Sequence, residues 1–179
     1  QRAGITRSSV GVHISNLMKK GCILGKGYLL PDSGYVAVAG AVNVDIGGRS
    51  AGPLVGRDSN PGTVTVSMGG VGRNIAHNLR LLGVRVSLLT ALGEDPHAGQ
   101  VADSCERLGI DLSRALHVPG GTTSTYLFLT DEKGDMELAV SDMEIYDHLT
   151  PQFLAGKEPL LNNARLVICD TNIPEPTLA

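Results

Sequence analysis

The residues best suited to chemistry lie in the string Ser67-Met68-Gly69-Gly70-Val71-Gly72-Arg73-Asn74-Ile75-Ala76. A strand-like alternation from Thr63 to Met68 runs into a glycine cluster, and the cluster opens onto a helix carrying Asn74. Glycine lets a ligand lie against bare backbone, and a helix start presents N–H groups that lack intrahelical partners. Upstream, Gly40-Ala41-Val42-Asn43-Val44-Asp45 reads as a second strand that ends in polar groups. A carboxylate accepts two hydroxyl hydrogen bonds and an amide both donates and accepts, so Asp45 and Asn74 together suit a vicinal diol. Each also has an ordinary role, since Asp after a strand and Asn at a helix start are common turn chemistry. Asn43 either caps the strand-end turn or faces the same place. The expected ligand is a small molecule rich in hydroxyls.

Competing motifs fail on their spacing. A dinucleotide fingerprint needs G-x-G-x-x-G and an acid after the next strand. Here Ile75 stands at the third glycine, and Thr90-Ala91 follows the apolar run Val84 to Leu89. Gly21-Cys22-Ile23-Leu24-Gly25-Lys26 is no Walker A, because one residue is missing between the glycines and Gly27 follows the lysine. Glu94, Asp95 and His97 match no metal-ligand spacing and read as helix capping.

The chain has 179 residues, enough for one good core, with 42% hydrophobic and 18% charged residues as in ordinary globular proteins. Its three cysteines, Cys22, Cys105 and Cys169, form no C-x-x-C pair and are expected to be buried free thiols in a reducing compartment. No signal peptide or membrane-length apolar run is visible, which predicts a cytoplasmic protein without a membrane partner. The net charge of −3 hides an asymmetry. Residues 1–30 carry Arg2, Arg7, Lys19, Lys20 and Lys26 and no acid, giving +5, and the rest of the chain carries −8. That split predicts two parts with different partners.

In the basic part, Thr6 is a predicted N-cap, and Val10, Ile14 and Leu17 recur on one helical stripe beside Met18. Gly21 ends this helix, and Cys22 to Leu30 alternates around Gly25-Lys26-Gly27 as a short hairpin would. A helix after a tight turn, then a basic hairpin, resembles the back half of a winged helix-turn-helix. The resemblance places a recognition helix at about Arg7 to Lys20. Arg7, Ser8, Ser9, Val12, His13 and Ser15 become groove-facing or phosphate-facing positions, and Lys19, Lys20 and Lys26 become further DNA contacts. The other reading is a basic amphipathic helix that only packs.

In the acidic part, Val36 to Ala39 and Leu166 to Cys169 look like buried parallel strands. Ile46 to Asn60 reads as a loop or exposed ribbon, and Thr63 to Ser67 as a strand with one wet face. Ile75, Leu79 and Leu82 form one stripe on the helix after the glycines, and Gly83 closes it. Asp95-Pro96 opens a helix that runs to about Leu108 before Gly109. Thr123 to Leu129 and Met136 to Val140 flank a hairpin turn at Asp131 to Asp135, and Pro151 starts another helix. Apolar strands alternating with helices predict a doubly wound α/β sheet with right-handed crossovers.

Asn43-Val44-Asp45 together with Gly69-Gly70-Val71-Gly72-Arg73-Asn74-Ile75-Ala76 resembles the N-terminal half of the ribokinase-like (PfkB) carbohydrate kinases. The likeness runs from about Val36 to the end of the chain. Ser59-Asn60-Pro61-Gly62-Thr63 and Ser141-Asp142-Met143 resemble the pseudouridine- and nucleoside-kinase branch. The resemblance implies a ribokinase-like fold over residues 34–179 behind a partial winged helix-turn-helix at 1–33. It also implies a small β-sheet lid, from strands at about 46–68 and 121–142, over the sugar. It implies substrate contacts from Asn43, Asp45, Gly69, Gly70, Gly72, Asn74, Thr125 and Asn172, with Asp142 as a lid contact. Tyr126 or Tyr146 would stack on a base.

The family's activity is phosphoryl transfer from ATP, with Mg²⁺, to a sugar or nucleoside hydroxyl, and a homodimer through the lid is a further implication. Base and anion hole come from a G-A-G-D segment, and the only Gly-Asp here, Gly134-Asp135, sits in a hairpin turn. The chain is therefore expected to be the acceptor-binding half of such a kinase, without catalytic base or nucleotide site. One alternative is a regulator that uses the pocket as a sensor. Another is a sugar-binding module that works as it stands.

Overall fold

The apolar run Tyr35–Ala39 forms β1, and the small or branched side chains from Val36 to Ala39 let helices cover it on both faces. In the computed structural model the described residues are 7–20 and 34–178. They divide into two units, Gln1–Gly34 and Tyr35–Ala179. In the first unit, α1 spans Arg7–Lys19. Leu17 and Met18 of the expected apolar stripe are 38% and 37% exposed, and His13, Ser15, Lys19 and Lys20 are exposed as well. Thr6, Lys26 and the expected hairpin lie outside the described residues.

The second unit is built on a parallel sheet ordered β10-β1-β4-β6, with β4 at Arg85–Leu89, β6 at Ile110–Asp111 and β10 at Leu166–Cys169. Its two faces carry separate cores. Val36, Val38, Val86 and Leu88 pack with Ala76 of α2 (Val71–Leu81) and with Val101 and Cys105 of α3 (Pro96–Leu108). Ala39 and Leu89 pack with Ile145, Tyr146 and Leu149, and with residues of α4 (Pro151–Ala155) and α5 (Glu158–Asn163). A short α6 (Glu175–Leu178) ends the described chain. Helices on both faces of a parallel sheet make the expected α/β layering. A two-stranded parallel pair, β5 (Ala91–Leu92) with β7 (Leu116–His117), extends it.

A second sheet is ordered β3-β2-β8-β9, with β2 at Asn43–Ser50, β3 at Gly62–Gly69, β8 at Thr125–Thr130 and β9 at Met136–Asp142. The β8–β9 hairpin turns where Gly134 was expected to turn it. Asp131 Oδ1 accepts from the N–H groups of Lys133, Gly134 and Asp135 there.

Several expectations are corrected. Of the two readings for Ile46 to Asn60, loop or exposed ribbon, Ile46 to Ser50 takes the strand form. Its glycines are there for close approach: a Cβ at Gly47 would lie 2.6 Å from Phe128 Cζ, and one at Gly48 2.7 Å from Leu129 Cδ2. Residues 62–67 of β3 are exposed on both faces rather than one, because neither face of the second sheet is covered there among the described residues. β10 is likewise an edge strand, so Leu166 and Val167 are 37% and 40% exposed rather than buried, and Cys169 is an exposed thiol. Leu82 caps α2 outside its buried stripe and is exposed, while Ile75 and Leu79 pack on the core. The helix from Pro151 stops at Ala155, and α5 follows after a break at Gly156-Lys157. The cap at Asp95, the helix start at Pro151 and the left-handed Gly109 stand where the sequence puts them, and Thr150 caps α4 by accepting from Phe153 N.

Candidate functional site

β1 ends at Ala39, and Gly40-Ala41-Val42 carries the chain out of the parallel sheet into β2. Asn43 and Asp45 therefore open a strand of the second sheet rather than end one of the first. Asp170, just past β10, fixes this crossing: its Oδ2 accepts from Ala41 N (2.8 Å) and its Oδ1 from Asn172 N (2.8 Å). Gly40 leaves room for that carboxylate, since a Cβ there would lie 2.3 Å from Asp170 Oδ2. Tyr146 fixes the other side. Its buried hydroxyl accepts from Val42 N (2.7 Å) and donates to Val42 O, and burial pushes its pKa up to about 12.

β2 and β3 pair antiparallel with Asn43 opposite Gly69 and Asp45 opposite Ser67. Side chains in register share a face, so the two motif segments meet. A Cβ at Gly69 would lie 1.9 Å from Asp45 Oδ2, so the glycine gives the carboxylate its place. Gly70, at φ 91°, is left-handed, and a Cβ there would lie 2.5 Å from Ala41 O and Val42 Cα. Gly72 lets the first turn of α2 rest on the crossing, where a Cβ would meet the Gly40 carbonyl carbon at 2.8 Å. Arg73 N closes this contact by donating to Ala41 O (3.0 Å).

Asp45 is half-buried. Desolvation raises its carboxyl above the ordinary value, and the positive charge of Arg73 opposes the rise. Arg73 Nη1 donates to Asn74 Oδ1 (3.3 Å) and Nη2 to Ser104 Oγ of α3 (3.0 Å). Asn74 itself is exposed. Ser124 Oγ lies 2.9 Å from both Asn43 Oδ1 and Asp142 O, and its single O–H is shared between these two acceptors. The arrangement offers a carboxylate and a solvent-facing amide beside bare glycine backbone, which can hold a polyol by paired hydrogen bonds.

The structure thus brings Asn43, Asp45, Gly69, Gly70, Gly72 and Asn74 together, and Asp170 ties Asn172 to the same crossing. Thr125 is in register with Val44 and Asp142, so the two-residue strand period turns it and Asp142 away from the Asp45 face. Tyr126, in register with Asp45, takes that face and packs on Phe128 with ring centroids 5.8 Å apart. Tyr146 is 2% exposed and committed to Val42, so it is not available for stacking. Sequence reasoning missed Arg73, Asp170 and Tyr146 as site-building residues. For Arg73 a signal existed: a cation in a first helical turn opposes the helix dipole and needs a reason to be there.

Comparison with known proteins bears on the same residues. Residues 33–179 match the family model described as "pfkB family carbohydrate kinase". The chain is 41% identical over 174 residues to "Uncharacterized sugar kinase YeiI" of Escherichia coli (strain K12), covering 97% of this chain and 48% of that protein. It is 40% identical over 145 residues to a pseudouridine kinase of the same organism, covering 81% of this chain and 46% of that one. The solved ribokinase of Arabidopsis thaliana complexed with ribose and ATP superposes with a TM-score of 0.66 at 20% identity. That match covers 80% of this chain and 47% of that one. The chain spans about half the length of the curated relatives it matches.

Proposed function

The chain belongs to the pfkB family of carbohydrate kinases, and from that premise we propose that it is the acceptor-binding half of an ATP-dependent kinase that phosphorylates a sugar or nucleoside hydroxyl. The observation that carries this reading is the pairing of Asn43–Asp45 against Gly69. That register puts a carboxylate, an amide and bare backbone at one crossing between two sheets. Asp45 accepts from acceptor hydroxyls, Asn74 donates to one, and the glycines let the ring approach the backbone. The second sheet, whose Asp45 face also carries Tyr126 and Thr65, acts as the lid that keeps water from the transferred group. A nucleoside acceptor is favoured by the 40% identity to a pseudouridine kinase and by Tyr126 and Phe128, which supply an aromatic surface beside Asp45.

ATP and Mg²⁺ belong to this proposal for the whole protein. No group of three His, Cys, Asp or Glu among the described residues could hold a metal ion. No helix among the described residues is long and apolar enough to cross a membrane, and a cytoplasmic site of action remains part of the proposal. α1 is proposed to contact DNA through His13, Lys19 and Lys20, with Arg7, Ser8 and Ser9 on the same helix. The match to YeiI covers 97% of the chain and so takes in most of this segment.

A homodimer is proposed through the outer face of the second sheet. There Val64, Val66, Leu127, Leu129, Leu138 and Val140 form an exposed apolar surface, with Val66 at 56% and Leu138 at 61%. A second copy would bury it. The test of the central reading is a screen of sugars and nucleosides with ATP and Mg²⁺ on the full-length protein. Transfer to at least one acceptor is expected, and none across both classes would refute it.

A further inference from the structure

Arg73 stands where helix electrostatics disfavour it. It lies in the first turn of α2, which has no acidic residue there and whose N-cap, Gly70, offers no side chain. Its guanidinium is nevertheless held from two sides, by Asn74 Oδ1 (3.3 Å) and by Ser104 Oγ (3.0 Å), and its buried Nε has no hydrogen-bond partner. Its backbone N–H is bound to Ala41 O, at the crossing that leads into Asn43 and Asp45. A partly buried cation at an unfavourable helix end, bonded to Asn74 and with its charge felt at Asp45, calls for a role beyond packing.

We propose that Arg73 is a positioning residue that turns Asp45 and Asn74 into an acceptor–donor pair for a vicinal diol. A guanidinium only donates, so the atom of Asn74 it holds is the amide oxygen. Nδ2 is then the atom of Asn74 left to donate to a ligand oxygen. The same positive charge opposes the desolvation that raises the Asp45 carboxyl, and so favours its acceptor state. One hydroxyl of the diol donates to Asp45 while its neighbour accepts from Asn74. Without Arg73 the amide can rotate, and its two ends become equivalent for binding.

The groups that face the pair are few. Arg73 comes from α2 and Tyr126 from β8, while the β3 partner of Asp45 is the neutral Ser67. On the far side of Arg73 lies Cys105 of α3, whose thiol burial pushes up and Arg73 pulls down.

This inference rests on the functional reading above, and its test separates the two. The full-length protein is assayed with ribonucleosides and their 2′-deoxy counterparts across pH, with thermal melts alongside. Arg73→Met is expected to raise acceptor KM about ten-fold, as for loss of one charge-assisted hydrogen bond. It should reduce discrimination between ribo and deoxy acceptors and move the acidic limb of kcat/KM to higher pH, with KM for ATP unchanged. Arg73→Lys keeps the charge but loses the planar fork, so the limb should stay in place while KM rises and discrimination falls.

Wild-type KM, discrimination and limb in Arg73→Met, with only a lower melting temperature, would reduce Arg73 to a clamp between α2 and α3 and overturn the proposal. If Arg73→Met does not fold, Arg73→Lys decides by itself. Raised KM with an unmoved limb supports the proposal, and unchanged KM and discrimination overturn it. A wild-type protein that phosphorylates none of the acceptors refutes the functional reading and this inference with it.

Discussion

Asp45 carries opposed demands. Burial raises its carboxyl above the ordinary 3.8, so the folded protein binds this proton more readily than the unfolded chain. Stability contributed by this group therefore falls as pH rises from the ordinary value through the raised one. Asp45→Asn removes that cost, and the thermal midpoint at neutral pH is expected to be no lower than wild type. In the full-length protein the same change should raise acceptor KM about ten-fold or more, since a hydrogen bond to a charged group is worth roughly 1.5–3 kcal/mol. KM for ATP should hardly move. Unchanged acceptor KM and kcat would remove Asp45 from the site. Gly70 is different, because its Cβ position meets backbone at 2.5 Å and its φ is 91°. Gly70→Ala should cost stability of at least about 1–2 kcal/mol from the left-handed strain alone. An unshifted denaturation midpoint would contradict this. Asp45, Asn74 and the glycines were legible because each matches a motif by type and spacing. Asp170 and Tyr146 were not, because the backbone groups they hold at Ala41 and Val42 lie far along the chain.

At the scale of elements, the crossing from β1 to β2 depends on one helical turn. The 3₁₀ helix Glu144–His148 inserts Tyr146, which satisfies both the N–H and the carbonyl of Val42. Tyr146→Phe leaves those buried groups unpaired and is expected to cost about 1–3 kcal/mol in chemical denaturation. It should also raise acceptor KM, because the crossing carries Asn43 and Asp45. A Tyr146→Phe protein as stable as wild type would show that water replaces the hydroxyl. The outer face of the second sheet makes a separate prediction. Val66 and Val140 lie in one register row with Ile46 and Leu127. Val66→Glu with Val140→Glu should convert a dimer to a monomer by light scattering and abolish any concentration dependence of the melting temperature. A dimer that survives both charges would place the interface elsewhere. The sequence marked β3, β8 and β9 by alternation but left β2 beyond Asp45 open between loop and ribbon, because Gly47 and Gly48 carry no β-propensity of their own.

For the whole molecule, the two units should behave differently toward salt and nucleotide. Residues 1–179 expressed alone are expected to show no phosphoryl transfer to any sugar or nucleoside, and ATP should not raise their melting temperature, since a ligand stabilises only what binds it. Turnover above contaminant level by the purified chain would overturn the reading that base and nucleotide site lie outside it. If α1 contacts DNA in the full-length protein, log affinity should fall linearly with log salt, and Lys19→Ala with Lys20→Ala should flatten that slope. Salt-independent or absent binding at low ionic strength would leave α1 a packing helix.

The sequence by itself determined the α/β alternation, the cap at Asp95, the helix start at Pro151, the hairpin turn at Gly134 and the candidate motif. These depend on local chemistry: periodicity, cap hydrogen bonds and left-handed glycines act within a few residues. Only the tertiary structure decided that Asn43 and Asp45 begin a strand of a second sheet, that Thr125 faces away from them, and that β10 is an exposed edge. Strand order and register are set by pairings between distant segments, and a shift of one residue reverses every side chain. The site inherits that non-locality. Asp45 is placed by Gly69, the crossing by Asp170 and Tyr146, and Asn74 by Arg73, and of these only the last contact lies within a single turn of helix.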